Sequence, residues 1–343
     1  MKRLCVPLLL SALLLSGCGS PAPSRPSGGG AEPVTGTVFA MDTVMDLTVY
    51  GSQELLDSAE GCITALEALL SVTDPDSEIY AVNHSGSGLL SRDTADLLDK
   101  ALELCRRTEG ALDLSVYPVV RAWGFTTGQY GVPRPEELTA LLRHVDYRKI
   151  DFDRAAGTVR LPAGMEIDLG SVAKGYTGDQ VVALLREGGV SSALLNLGGN
   201  VQVLGTKPDG TPWRVAVQDP LGDGYIGVVE AADQAVITSG GYERYFEEDG
   251  QLYWHIIDPA TGSPARNGLI SVTVVGDSGL LCDGLSTALF VMGPEKAGEF
   301  WRETGGFDAV LVDESGGVTI TQGLEDRFSL TDAGGEVTVL RRD

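Results

Sequence analysis

Between Ile237 and Phe290 the chain reads TSGGYERY, then HIIDPATGSP, then CDGLSTALF. Thr238, Ser239, Gly240 and Gly241 suggest a tight turn whose backbone N–H groups can face an anion. His255 and Asp258 flank two apolar residues ahead of a Pro/Gly turn, which places them at a strand end. Asp283 and Thr287 are four residues apart, so on a helix their oxygens share one face. A carboxylate, a hydroxyl and open backbone are hard oxygen ligands of the kind that hold Mg²⁺ beside phosphates. A plain structural reading fits the same residues, with Asp283 capping a helix and Thr287 as a core-facing hydroxyl. Spacing alone leaves both readings open.

A second cluster is MEIDLGSVAKGYTGD, residues 165–179. Asp168 ends a short expected strand, Gly170 permits a turn, and a helix begins near Ser171. Such a junction presents free amides and carbonyls to a nucleotide, with Lys174 and Asp179 in the first turns of the helix. Here too a helix cap and a solvated lysine are the structural alternative. The stretch LNLGGNVQVLG is Gly-rich but is neither a phosphate-binding G-x-x-x-x-G-K-[ST] loop nor a dinucleotide fingerprint in the required context. There is no G-x-S-x-G elbow and only three His, which removes support for a serine hydrolase.

The elements that must carry these groups alternate in type. Thr37–Tyr50 suggests strand, broken around Met41-Asp42. Gln53–Leu70 is a helix, because Leu55, Ala59, Cys62, Ile63, Leu66 and Leu70 recur at helical spacing. Asp93–Arg107 is a second helix stopped by Gly110, and Pro135 opens a third. Short strands are expected at Ile150–Phe152, Thr158–Leu161 and Glu166–Leu169, then a helix over Ser171–Arg186. A run of strands follows: Ala193–Leu197, Val201–Leu204, Trp213–Gln218, Gly227–Glu230, Ala235–Thr238, Leu252–Ile257 and Ser271–Val275. Helices over Asp283–Met292 and Pro294–Glu303 and further strands close the chain. Runs of strands with inserted helices predict an α+β fold with a mixed, mostly antiparallel sheet.

The N-terminus bears on placement. Lys2 and Arg3 precede an apolar run from Leu4 to Leu15, too short for a span of about 20 residues and suited to a signal peptide over residues 1–17. It ends in Leu15-Ser16-Gly17-Cys18, which resembles a bacterial lipobox with Cys18 as the lipidated first mature residue. Gly19–Pro33 is mostly Ser, Pro and Gly with almost nothing apolar, a flexible tether over 18–33, and residues 34–343 are left as the folded domain. The formal charge of −23 argues against nucleic acid as a partner, since phosphate backbones need basic patches. An acidic enzyme acting on an anion needs a metal or backbone amides at its site. Of the five Cys, Cys5 falls in the signal. Cys62, Cys105 and Cys282 are too scattered for a disulfide framework or zinc site and are expected to be small buried hydrophobes.

Taken in order, the motifs resemble the ApbE family, the FAD:protein FMN transferases. The matching stretches are AMDTVMDL at 40–47, DPDSEIYAVN at 74–83, GALDLSVYPVVRAWGF at 110–125 and EIDLGSVAKGY at 166–176. They continue with LNLGGNVQVLG at 195–205, AVITSGGYERY at 235–245, HIIDPATGSP at 255–264 and CDGLSTALFVMG at 282–293. They cover nearly the whole folded chain, and a lipoprotein signal is itself typical of the family.

The resemblance implies an ApbE-like domain that transfers the FMN half of FAD to a Thr or Ser hydroxyl of an acceptor protein with Mg²⁺, releasing AMP. It implies Asp283, Thr287 and the carbonyl of Ser171 as metal ligands. It also implies FAD contacts at Met41, at Ala111, Leu112 and Asp113, at Asp168, Lys174 and the backbone near Ile257, and it gives His255 the proton transfer from the attacking hydroxyl. Family acceptors are extracytoplasmic flavoproteins of redox complexes, so the expected location is the outer face of the cell membrane, held by the lipid anchor. Thr73 stands where many members carry an aromatic residue. Two alternatives share these features: an FAD pyrophosphatase giving FMN and AMP, and a non-catalytic flavin-binding surface lipoprotein.

Overall fold

The computed structural model describes residues 32–331 and 336–342. Cys18 and nearly all of the expected tether therefore lie outside the described residues, and from Ala31 on the chain clusters into one compact unit. Nine strands form its main sheet: β1 (Val34–Ala40), β2 (Thr43–Val49), β3 (Ala193–Leu197), β4 (Asn200–Leu204), β5 (Ala235–Gly240), β6 (Leu269–Gly276), β7 (Asp308–Asp313), β8 (Val318–Thr321) and β9 (Val337–Leu340). Their spatial order is their chain order. Every neighbouring pair is antiparallel except β8 and β9, which run parallel. The sheet is thus a long meander, and everything else in the chain is an excursion between its strands.

Seven helices occupy two of those excursions. Between β2 and β3 lie α1 (Gln53–Leu70), α2 (Glu78–Ser85), α3 (Arg92–Arg107), α4 (Tyr117–Ala122), α5 (Pro135–Leu141) and α6 (Gly170–Glu187); between β6 and β7 lies α7 (Gly279–Thr304). The apolar residues of β5 show why the sheet has a layer on each side. Ile237 joins Val272 and Val274 in a core shared with α3, α6 and α7. Its neighbour Val236 points the other way, into a core with Val215 and Val229 of the strands Trp213–Gln218 and Tyr225–Ala231. A strand buried on both faces is a continuous apolar run, as AVIT is here. The result is an α+β molecule with helices on one face of the sheet and a small three-stranded sheet on the other.

Three expectations change. Thr238, Ser239 and Gly240 do not form the anion-facing turn; they continue β5, paired with Thr273, Val272 and Ser271. Their backbone groups belong to a central ladder, and the turn follows at 241–244. No strand forms over Glu166–Leu169, because an amide side chain replaces the partner strand there: Asn83 donates to the Ile167 carbonyl at 2.8 Å and accepts from its N–H at 2.8 Å. The strand over Leu252–Ile257 is cut short to Gln251–Trp254, paired in a hairpin with Tyr245–Glu248, and Ile257 instead bridges to Pro264.

Candidate active site

The site is built where α6 crosses α7. A Cβ on Gly175 would lie 2.1 Å from the Gly279 carbonyl oxygen, and one on Gly279 would lie 2.4 Å from the Gly175 carbonyl oxygen, so only glycines allow this approach. Asp179, one turn along α6, fastens the crossing by accepting from the N–H groups of Gly279 at 2.6 Å and Leu280 at 3.0 Å at the start of α7. The close approach lets the buried Asp283 of α7 accept a hydrogen bond from the Gly175 N–H at 2.8 Å. Burial raises the Asp283 carboxyl above the usual range, the Lys174 charge and the Gly175 N–H pull it back, and Asp179 pushes it further up. Asp283 is therefore not the helix cap; Ser278 is, accepting from the Leu281 N–H.

Thr287 sits one turn beyond Asp283. Its Oγ1 lies 3.2 Å from the hydroxyl of Ser239, which itself lies 2.7 Å from that of Ser286. Ser171 completes the set through the main chain. In a helix the Gly175 N–H would serve the Ser171 carbonyl; sharing that N–H with Asp283 leaves the Ser171 oxygen available. One carboxylate, hydroxyls and a carbonyl are a fit for a hard cation such as Mg²⁺. Among the described residues no three of His, Cys, Asp and Glu converge, and Asp283 is the one charged group of this set.

His255 follows the hairpin, opposite Arg244. The Arg244 carbonyl lies 3.0 Å from the His255 backbone N–H, which donates to it, and 3.2 Å from Nδ1. A carbonyl can only accept, so Nδ1 carries the proton and Nε2 presents its lone pair. Phe125 meets the ring edge-on at 6.3 Å between centroids. Burial, then the Arg244 charge and, more weakly, Lys174 bring the imidazole down to about 4, against the opposing hydrogen bond to the Arg244 carbonyl. It is neutral at ambient pH.

Lys174 links these groups, since its charge acts on Asp283, Glu243 and His255 alike. Asp168 sits close by, partly buried and raised by desolvation while Arg244 lowers it, and its Oδ1 accepts from the Gly170 N–H at 2.8 Å. Met41 lies in the two-residue turn between β1 and β2, where Met41 and Asp42 take φ of +50° and +60°. Such a tight hairpin turn demands positive φ at both positions, and the Met41 N–H is held at 2.6 Å by Glu67. Leu112 is buried and Ala111 half-buried. Asp113 has its carboxylate engaged by the Ser115 and Tyr147 N–H groups, which fixes the loop that carries it. Ile257 is buried beside Trp123 and Phe125. Thr73 is exposed in the loop after α1. Cys62, Cys105 and Cys282 are free thiols, the last two buried, all raised by desolvation.

The sequence reading passed over Glu243, Arg244 and the Ser239 hydroxyl. Glu243 is exposed, and desolvation by the protein around it still pushes its carboxyl up to about 7. Glu243 and Arg244 stood in the TSGGYERY stretch as an adjacent acid–base pair at a strand end, the one signal that could have marked them.

Known proteins are similar to this chain over most of its length. The chain is 34% identical over 323 residues to an FAD:protein FMN transferase of Treponema pallidum, spanning 88% of this chain and 89% of that protein. It is 34% identical over 295 residues to one of Vibrio cholerae, spanning 84% and 87%. The crystal structure of the ApbE protein of Thermotoga maritima superposes with a TM-score of 0.82 at 31% identity, over 86% of this chain and 99% of that one. The apo flavinyl transferase ApbE of Pseudomonas stutzeri superposes at 0.77 and 29%, over 89% and 98%. The ApbE family profile matches residues 41–311, and the chain belongs to the ApbE family.

Proposed function

We propose that this protein is an FAD:protein FMN transferase held by a lipidated Cys18 at the extracytoplasmic face of the cell membrane, acting on flavoproteins of redox complexes. The observation that carries the chemistry is the α6–α7 crossing, which brings the Gly175 N–H, next to Lys174, to 2.8 Å from the Asp283 carboxylate. Lys174 supplies a cation, Asp283 and Thr287 supply oxygen ligands, and His255 is held as a neutral base by the Arg244 carbonyl. The acceptor hydroxyl attacks the FMN-side phosphorus of FAD. A new P–O bond forms to the acceptor, the bond to the bridging oxygen breaks, AMP leaves, and the hydroxyl proton passes to Nε2 of His255. Lys174 and Arg244 face the pyrophosphate, and the Arg244 carbonyl keeps the imidazole in the accepting tautomer. Mg²⁺ held by Asp283, Thr287 and the Ser171 carbonyl would neutralise charge on the phosphates.

The test is incubation with FAD and Mg²⁺, with and without a candidate acceptor flavoprotein. The expected result is flavin fluorescence that stays with the acceptor through denaturation, with AMP released in step. AMP without acceptor would mark a hydrolase, and binding without turnover a flavin carrier. Asp283→Ala should nearly abolish turnover while weakening FAD binding less. Full activity of that variant, or of wild type in excess EDTA, would remove the metal from this reading.

A further inference from the structure

The lead-in to α6 and the first turns of the helix carry four groups of the site within eight residues: Asp168, the Ser171 carbonyl, Lys174 and the Gly175 N–H. The lead-in has no strand on either side to fix it. On one side the Asp168 N–H donates to the Leu114 carbonyl at 3.0 Å. On the other, the Asn83 amide takes both backbone groups of Ile167 at 2.8 Å each. A primary amide offers a donor and an acceptor at the spacing of a peptide unit, so one side chain does what a neighbouring strand would do. Asn83 comes from α2, 84 residues earlier in the chain, and α2 is itself fixed by Glu78, which accepts from the Ser91 N–H at 3.0 Å. Another segment assigned to the site, the Met41 turn, is also held by a helix side chain, its N–H donating to Glu67 of α1 at 2.6 Å.

We propose that Asn83 is a positioning residue for catalysis, which sets the register and direction in which the 167–175 segment presents its groups to FAD. The inference rests on the transferase reading above. It follows that loss of the amide loosens the substrate site before it loosens the core, because Ile167 itself stays anchored by its fully buried side chain.

The test compares FAD titrations of wild type, Asn83→Ala and Asn83→Asp by flavin fluorescence, alongside thermal melts. Asn83→Ala is expected to raise the Kd for FAD about tenfold or more and to speed amide exchange over residues 168–175. Asn83→Asp keeps the acceptor for the Ile167 N–H and loses the donor to its carbonyl. It should fall between the two at pH 7.5 and recover toward wild type as pH drops and the new carboxyl gains a proton, which also covers the case of an alanine variant that fails to fold. A lowered melting temperature with FAD affinity within twofold of wild type, and no pH-dependent recovery in the Asp variant, would overturn the proposal and leave Asn83 a structural residue. Failure of wild type to bind FAD would overturn the transferase reading, and the inference with it.

Discussion

At the scale of single residues the site turns on how burial and charge set protonation. His255 has its imidazole lowered by desolvation and by two cations. It is neutral throughout the neutral range, and the acid limb of free-enzyme kcat/KM should fall well below the ordinary histidine value. Binding an anionic pyrophosphate offsets Arg244 and Lys174, so the imidazole becomes a stronger base once FAD is bound. His255→Ala should cut transfer about 10²–10⁴-fold with FAD affinity little changed, and raised pH should partly rescue it; joint loss of FAD affinity and melting temperature would mark His255 as structural. Glu243 gives a second titration. Its folded carboxyl lies above the ordinary value, so the folded state binds more protons between about 4.5 and 7 and loses stability as pH rises through that window. Glu243→Gln removes that loss, and its melting temperature relative to wild type should be higher at pH 8 than at pH 4.5; no difference between the two pH values would show that solvent screens the group. Lys174 and His255 drew their expected roles from the family resemblance, and Asp283 and Thr287 were legible as a possible ligand pair from residue type and spacing. Glu243 and Arg244 were not, since their role depends on where a hairpin folds back. Asp113 was legible as a position, though only the structure shows that its carboxylate is engaged by Ser115 and Tyr147.

At the scale of elements the α6–α7 crossing does most to make the site. In an ordinary helix interior Gly→Ala is stabilising by about 1 kcal/mol. At Gly175 the new methyl would meet the Gly279 carbonyl at 2.1 Å and the Asp283 Cβ at 2.7 Å, and overpacking of this kind typically costs about 1–3 kcal/mol. Gly175→Ala should therefore lower the melting temperature and weaken transfer, because the helices must part and the Gly175 N–H moves off Asp283. A melting temperature at or above wild type would mean the crossing is looser than the structure indicates. The elements themselves were mostly readable. The Gly293-Pro294 pair foretold a break, and the structure has one long helix kinked there, with Gly293 at φ +77°. The 166–169 segment was not readable, because a sequence pattern of alternating residues cannot distinguish a strand partner from an asparagine far away in the chain.

At the scale of the molecule, charge and attachment work together. A formal charge of −23 repels both an anionic substrate and an anionic membrane surface, so the proposed transfer would draw on the local cations of the site and the proposed membrane residence would need the anchor. The described chain enters the fold at β1, seven residues long and about 23 Å from end to end at the usual strand rise. It enters at the end remote from the Met41–Asp42 turn, and Asp42 is close enough to raise Asp168. Val34 and the Met41–Asp42 turn thus lie at opposite ends of β1, so a proposed tether joining at Val34 would stay clear of that turn. Residues 18–33, rich in Ser, Pro and Gly, are the proposed tether. Cys18→Ser should consequently release the protein from the membrane fraction while leaving FAD turnover with a soluble acceptor unchanged. The measurement is fractionation after a salt wash, paired with the transfer rate. Retention in the membrane fraction would sink the lipid anchor, and a turnover loss matching the release would show that the anchor does more for the enzyme than hold it in place.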